Sequence, residues 1–471
     1  MREATPHDRP FRPAPPEEAL AGYTPEGGRR WIDPVVTRGL FWRWRLGIGA
    51  LLLALFFAAP LLILGGHPLV FLDVANRRFH LLGATFHPTD NLLLVALGLL
   101  LVLTLFTMTA LFGRLLCGFL CPQTHLLEFI FRPIESLVEG PAERRWKRRN
   151  QAQDTASRLR RLLKWAIYLV LALLFAHNLL ALFLGWDRLF SLLIAGPLES
   201  PTIFVLASLI TGFLFVDMAF LRENVCAMAC PYGRLQTVLY DRDTRIVAYD
   251  ARRGEPRGPR RGVSGGDCLD CGRCVRTCPA GIDIRRGLQM ECVGCGQCAD
   301  ACDAVQTRLG RPRGLLSFTS ETRLEGGRSS YLPYLRRRVR VYGSLWALAL
   351  GALIFLLARR ADAEVELLRS TRAPFEVLPS GEIATSLRVR VTNLRRQPQS
   401  FTLERLEPEE ARIAGGEQTL TVAPQEVENL LVSVVLPRAS FADGRATVWL
   451  RLRSDLGFVE ESPFLLLGPY R

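Results

Sequence analysis

Twelve cysteines carry most of the reactive chemistry of this 471-residue chain, and eight of them form two runs of the same spacing. Cys268-x2-Cys271-x2-Cys274-x3-Cys278-Pro279 is followed by Cys292-x2-Cys295-x2-Cys298-x3-Cys302. Soft thiolates at this bacterial ferredoxin spacing hold two 4Fe–4S clusters, with the fourth ligand of each run crossing to the other cluster. The rule assigns Cys268, Cys271, Cys274 and Cys302 to one cluster. It assigns Cys292, Cys295, Cys298 and Cys278 to the other. Zinc sites and redox pairs share a single C-x2-C, but not two complete quartets. A disulfide framework is disfavoured, because no secretory signal precedes the runs and the chain is long.

The other four cysteines form a second constellation. Cys117-Gly-Phe-Leu-Cys121-Pro122 and Cys226-Ala-Met-Ala-Cys230-Pro231 each follow a long apolar segment. They read as an internal repeat, with Leu126 and Leu235 downstream at the same offset. On a helix, positions i and i+4 share a face, so each pair can present two thiolates toward the other. The expectation is a four-thiolate site of Cys117, Cys121, Cys226 and Cys230, with the Met228 thioether beside it. Such donors select Cu(I), zinc or an iron–sulfur cluster. A dithiol–disulfide pair and simple packing cysteines are the other readings. Neither motif is C-x-x-C-H, so covalent haem is not supported.

Hydrophobic residues make up 49% of the chain and cluster in segments. Residues 46–66, 91–113, 165–186 and 341–358 carry no charge, and 202–221 carries only Asp217. Each approaches the roughly 20 residues that cross a bilayer. Five such segments predict an integral membrane protein. The apolar stretch 189–196 is too short to span and is expected at the interface or in a turn. The net charge of +14 is unevenly placed. Residues 113–164 hold eleven Lys or Arg, whereas loops 67–90 and 187–201 hold two and one. This positive-inside pattern places the N-terminus, residues 113–164 and residues 222–340 in the cytoplasm, and the C-terminus in the periplasm. It also argues for a membrane protein and against nucleic acid as a partner. All twelve cysteines then lie on the reducing side.

The expected organisation is a disordered cytoplasmic tail (1–40) without a cleavable signal, and four transmembrane helices with the two C-x3-C-P motifs (41–250). A cytoplasmic ferredoxin domain (251–335), a fifth transmembrane helix (336–360) and a periplasmic β-sandwich (361–471) follow. The sandwich rests on period-two alternation in Leu387–Val391, Thr419–Val422 and Thr447–Arg453. Val448, Leu450 and Leu452 are expected on one inward face, Leu420 and Val422 on another. The sandwich is expected to dock or support, not to catalyse. His177 is a candidate for haem or quinone binding, or for a bond to a neighbouring helix. Asp217 is expected to reach the interface, His67, His80 and His87 are weak metal candidates, and Met108 belongs to the core.

With these residues in hand, the chain resembles the cytochrome c oxidase accessory protein family CcoG, also called FixG or RdxA. The resemblance runs from about residue 30 to the C-terminus. It is carried by Cys117–Thr124, Arg222–Cys226, Cys230–Gln236, Tyr249–Gly258, Gly281–Arg285 and Gly287–Gln289. The chain departs from the family at Val138–Ala142, where an acidic–basic pair usually follows the glycine. The resemblance implies a polyferredoxin-like protein of the bacterial inner membrane. Its fold would be a five-helix transmembrane bundle with a cytoplasmic dicluster ferredoxin insert and a C-terminal Ig-like β-sandwich. It implies reduction of Cu(II) to Cu(I) for assembly of a cbb-type haem–copper oxidase. Copper ion, copper chaperones or assembly factors and the oxidase are then the partners. The electron donor is open, and a homodimer through the sandwich is plausible. The C-x3-C-P pairs also resemble those of membrane quinol dehydrogenases, and a non-enzymatic assembly scaffold is a third reading.

Overall fold

The computed structural model describes residues 31–64, 66–74, 78–87, 90–149, 154–258, 265–326, 336–370, 373–395 and 397–469. The chain divides into two bodies, one running to about residue 353 and one holding the C-terminal residues. Among the described residues five helices are long and apolar enough to cross a membrane: Leu40–Ala58, Asn91–Phe112, Thr155–Leu184, Pro201–Leu221 and Arg337–Ala358. They stay apolar around most of their circumference because lipid, not water, is the outer solvent. Side-chain hydrogen bonds tie some of the spans together. Asn178 Nδ2 on the third span donates to the Phe56 carbonyl of the first at 2.8 Å. Trp346 Nε1 on the fifth donates to Thr104 Oγ1 of the second at 2.9 Å. The stretch 189–196 forms most of a short helix, Trp186–Ala195, between the third and fourth spans.

The cysteine-rich module is folded onto one end of this bundle. Strands β1 (Ile246–Tyr249) and β2 (Leu316–Thr319) pair antiparallel and bracket it, so its two ends are joined. Between them lie Arg273–Arg276 and the longer helix Gln297–Arg308. The first span begins at Leu40 directly after Gly39, a residue with no side chain to cap it. The carboxylate of Asp300, on the module's long helix, accepts from the backbone N–H groups of Phe41 and Trp42 at 3.2 and 2.9 Å. A carboxylate there satisfies free amides and complements the helix dipole.

The expectation of a disordered tail to residue 40 is corrected for its last part. Residues 31–39 are ordered. Ile32 and Asp33 are buried, Val35 N–H donates to the Arg276 carbonyl, and Thr277 Oγ1 donates to the Val35 carbonyl. Composition hid this, because the contacts are with a module more than 230 residues away. Residues 1–30 and 259–264 lie outside the described residues.

The second body is the β-sandwich, and its alternation is as expected. One sheet contains β3 (Ala363–Arg369), β4 (Ile383–Asn393) and β7 (Val427–Leu436). The other contains β6 (Gln418–Val422), β5 (Gln399–Glu407), β8 (Arg445–Ser454) and β9 (Val459–Leu467), in that order. All pairings are antiparallel, with Val389 opposite Leu430 and Leu403 opposite Leu452. Leu387, Val389 and Val391 face Val432, Val434, Val448, Leu450 and Leu452 in one core. Val422 is fully buried and Leu420 packs at the margin. Period-two burial of this kind fixes register, since a one-residue slip would turn these side chains to water.

Candidate metal centre

The two C-x3-C-P segments are built alike. Each follows a span that ends in a residue with an unusual backbone. Gly113 has φ 56 and ψ −124, and Arg222 has φ 54 and ψ −124. Four residues later come Cys117 and Cys226. Cys121 N–H donates to the Leu116 carbonyl at 2.9 Å and Cys230 N–H to the Val225 carbonyl at 2.8 Å, the same five-residue closure. Cys121 and Cys230 are then extended, and Pro122 and Pro231 begin new helices. Proline disfavours the helical conformation in the residue before it and starts helices well. The expected single helical face is therefore corrected. Each pair straddles a helix break, with Cys117 in Leu115–Phe119 and Cys226 in a π-helical turn, Val225–Ala229.

The repeat does bring its thiols near one another. Burial pushes the Cys226 thiol up to about 12, and Cys121, Cys117 and Cys230 each add to the rise. Burial pushes Cys117 up to about 11, against a hydrogen bond from Gln236. Gln236 is fully buried, and its Nε2 donates to Cys117 Sγ at 3.3 Å. Among the described residues no three His, Cys, Asp or Glu side chains stand close enough to hold a single metal ion.

The ferredoxin-type cysteines line two cavities. One is walled by Cys268, Cys271, Cys274 and Cys302. The other is walled by Cys278, Cys292, Cys295 and Cys298, with Cys274 at its edge. The crossing of Cys278 and Cys302 is therefore present in the backbone geometry. None of the eight forms a disulfide. Burial pushes Cys274 up to about 11, and Cys278 and Cys302 to about 12. Two enclosed quartets of soft donors fit iron–sulfur clusters, whose iron displaces those protons. Cys271 is exposed, whereas Cys295 and Cys298 are buried.

The second quartet sits directly on the first C-x3-C-P segment. A Cβ on Gly118, between Cys117 and Cys121, would meet the Gly294 and Val293 carbonyl oxygens at 2.8 and 2.9 Å and Cys295 Cα at 3.0 Å. A Cβ on Gly294 would in turn meet the Arg114 carbonyl oxygen at 2.9 Å, and its φ of +66 also calls for glycine. Arg114 donates to the Cys292 carbonyl at 3.3 Å and to the Gly233 carbonyl at 2.7 Å, tying both cysteine segments to the module. Buried Arg45 donates to the Gly118 carbonyl at 2.7 Å and pairs with Glu128 at 2.9 Å.

A third cavity joins the two sites. It is lined by Cys226 and Met228 on one side and by Pro279 and Val293 on the other, the chain neighbours of Cys278 and Cys292. Glu128, Glu223, Glu291 and Arg132 also line it. Each of the three carboxylates has a buried oxygen with no hydrogen-bond donor among the described residues.

Other expected residues fall elsewhere. Asp217 does not reach outward. It is buried, and Gln123 Nε2 donates to it at 2.9 Å. His177 Nδ1 bonds the Leu173 carbonyl of its own helix at 2.7 Å, so it makes no tie to a neighbouring helix through that nitrogen. His67 and His80 stack at 3.9 Å between centroids. Arg222, Arg114, Gly118 and Gln236 were not singled out by spacing. The signal for Arg222 was its place at the Gly113 position of the repeat.

Three family models match the chain. A 4Fe–4S dicluster domain covers residues 221–321, a 4Fe–4S binding domain covers 94–148, and the IG-like fold at the C-terminus of FixG covers 353–469. Protein RdxA of Cereibacter sphaeroides is 35% identical over 343 residues, 71% of this chain and 72% of that protein. Protein RdxB of the same organism is 32% identical over 78% of this chain and 79% of that one. Nitrogen fixation protein FixG of Rhizobium meliloti is 29% identical over 88% of each. Among solved structures, a FixG-related protein from Vibrio parahaemolyticus matches 23% of this chain and 98% of its own, at 21% identity and a TM-score of 0.21. Two thiolate quartets in a membrane-anchored ferredoxin module, with these relatives, establish that the chain is an iron–sulfur membrane protein and belongs to the FixG/RdxA family.

Proposed function

We propose that this protein reduces Cu(II) to Cu(I) at its C-x3-C-P thiols, in support of assembly of a cbb-type haem–copper oxidase. The observation that carries the reading is the third cavity. It is lined by Cys226 and Met228, by three incompletely bonded carboxylates, and by Pro279 and Val293, the chain neighbours of Cys278 and Cys292. Carboxylates attract a divalent cation, and thiolate with thioether favours its reduced form. Clusters held by Cys268, Cys271, Cys274 and Cys302 and by Cys292, Cys295, Cys298 and Cys278 supply one-electron carriers when bound. Copper is the substrate, and each Cu(II) gains one electron.

The chain's own residues arrange this. Exposed Cys271 turns the first quartet toward solvent and a donor. Gly118 and Gly294 let the second quartet approach the thiols at backbone contact. Gln236 orients the Cys117 sulfur, and partial burial raises the pKa of the Cys117 and Cys226 thiols. The basic residues of 113–164 support a cytoplasmic position for the module and a periplasmic one for the sandwich. The test is Cu(II) reduction by anaerobically purified protein supplied with a low-potential donor, with Cu(I) trapped by a coloured chelator. Protein with a full complement of iron that leaves Cu(II) untouched would refute the proposal.

A second reading is favoured by one observation. The 4Fe–4S binding family model at 94–148 spans Cys117 and Cys121, so the four thiols would hold a further cluster. Iron analysis separates the two. About eight iron atoms per chain fit two clusters, and about twelve fit three.

A further inference from the structure

A further cavity among the described residues of the first body has no cysteine in its lining. It measures about 660 Å³, within the usual range for ligand pockets. It opens at the start of the third span, between Glu135, Arg145, Arg161, Lys164, Trp165 and Arg222. Six Lys or Arg and four Asp or Glu line it, an excess of two positive charges.

Most of those cations are already engaged. Glu135 takes Arg222 at 2.9 Å and Arg145 at 3.1 Å. Lys164 pairs with Glu139 at 2.8 Å. Arg148 Nη1 donates to the Glu139 carbonyl at 3.0 Å. Arg160 and Arg161 face the same cavity and pair with no described carboxylate.

The position of these two arginines identifies the ligand. The helix Thr155–Leu184 has 30 residues, about 45 Å at ~1.5 Å per residue. A hydrocarbon core is about 30 Å thick, so the turns bearing Arg160 and Arg161 project into the headgroup layer. Leu159, Leu162 and Leu163 on the same turns are exposed, as befits side chains that meet acyl chains. Trp165 lies at the cavity wall near Phe220, with ring centroids 6.1 Å apart, in the place aromatic residues take at an interface. We propose that this cavity binds the phosphate of an anionic phospholipid headgroup, held by Arg160 and Arg161. Basic pockets between transmembrane helices recognise such headgroups.

The experiment uses the full chain in a neutral detergent. Its thermal midpoint is followed during titration with short-chain phosphatidylglycerol, phosphatidylcholine or inorganic phosphate. Phosphatidylglycerol alone is expected to raise the midpoint. The variant Arg160→Ala/Arg161→Ala, whose side chains pair with no carboxylate among the described residues, is expected to keep its iron and to need about tenfold more phosphatidylglycerol. An equal response to phosphatidylcholine, or an unchanged titration in the variant, overturns the site. A response to inorganic phosphate equal to that for phosphatidylglycerol overturns the lipid assignment and makes the ligand a free anion.

Discussion

Gly118→Ala isolates the contact between the first C-x3-C-P segment and the second cysteine quartet. Gly118 is helical and has no positive φ, so alanine suits its backbone and gains about 0.5–1 kcal/mol of helix preference. The new methyl group, however, meets three backbone atoms at 2.8–3.0 Å. The loop 293–295 must retreat by about 0.5 Å to restore ordinary contact. Overpacking of this kind costs about 1–3 kcal/mol. The net effect is a seat weakened by about 1–2 kcal/mol, roughly tenfold in its local opening equilibrium. Hydrogen–deuterium exchange at the amides of 293–296 should quicken about tenfold in the variant, copper reduction should slow, and iron content should stay at the parental value. Gly47→Ala is the matched control, since a Cβ there meets nothing within 4 Å. Parental exchange at 293–296 in a folded, iron-loaded Gly118→Ala protein would show that the module is not seated on this glycine.

Arg222 and Glu135 offer two further tests. Arg222→Ala and Arg222→Gly both lose the Glu135 pair, but only glycine relieves a φ of 54. The glycine variant should unfold at the higher temperature, by about 1 kcal/mol in stability. Burial favours the neutral form of the Glu135 carboxyl, but Arg222, Lys164, Arg145 and Arg132 outweigh it and hold its pKa below the usual 4.5. A depressed folded pKa gives stability that is present above the unfolded value and lost as pH falls through the folded one. The midpoint gap between the parent and Glu135→Gln should therefore be full at pH 7 and close below about pH 4.5. Leu387→Ala, at a fully buried sandwich position, should cost the sandwich about 2–5 kcal/mol in thermal unfolding and leave copper reduction in vitro unchanged.

Much of this architecture was legible because it rests on short-range pattern. The cysteine spacing implied which thiols share a cavity, and the cavities at Cys302 and Cys278 follow that crossing rule. Alternation around Val389 and Leu450 marked the sandwich core, since only every second side chain can face inward. What was not legible depends on partners distant in sequence. Arg45 reads as a flanking charge of the first span, yet it is buried on Glu128 and on the Gly118 carbonyl. Ile32 looks like part of a polar tail, yet it fills a hollow over Gly281. The helical-face reading of the C-x3-C-P pairs gave too little weight to the prolines. Pro122 and Pro231 turn each second cysteine into a hinge between helices. The shared backbone of Gly113 and Arg222 shows how deep the repeat runs, because one half keeps it with a glycine and the other with a buried ion pair.

The most direct measurement of the central claim is the copper reduction rate of a variant with Cys117, Cys121, Cys226 and Cys230 all changed to Ala, compared with the parent at equal cluster iron. The account predicts that the variant keeps both ferredoxin-type clusters, accepts electrons from the donor and fails to reduce Cu(II). Reduction at the parental rate would contradict it and move the chemistry to the ferredoxin module itself.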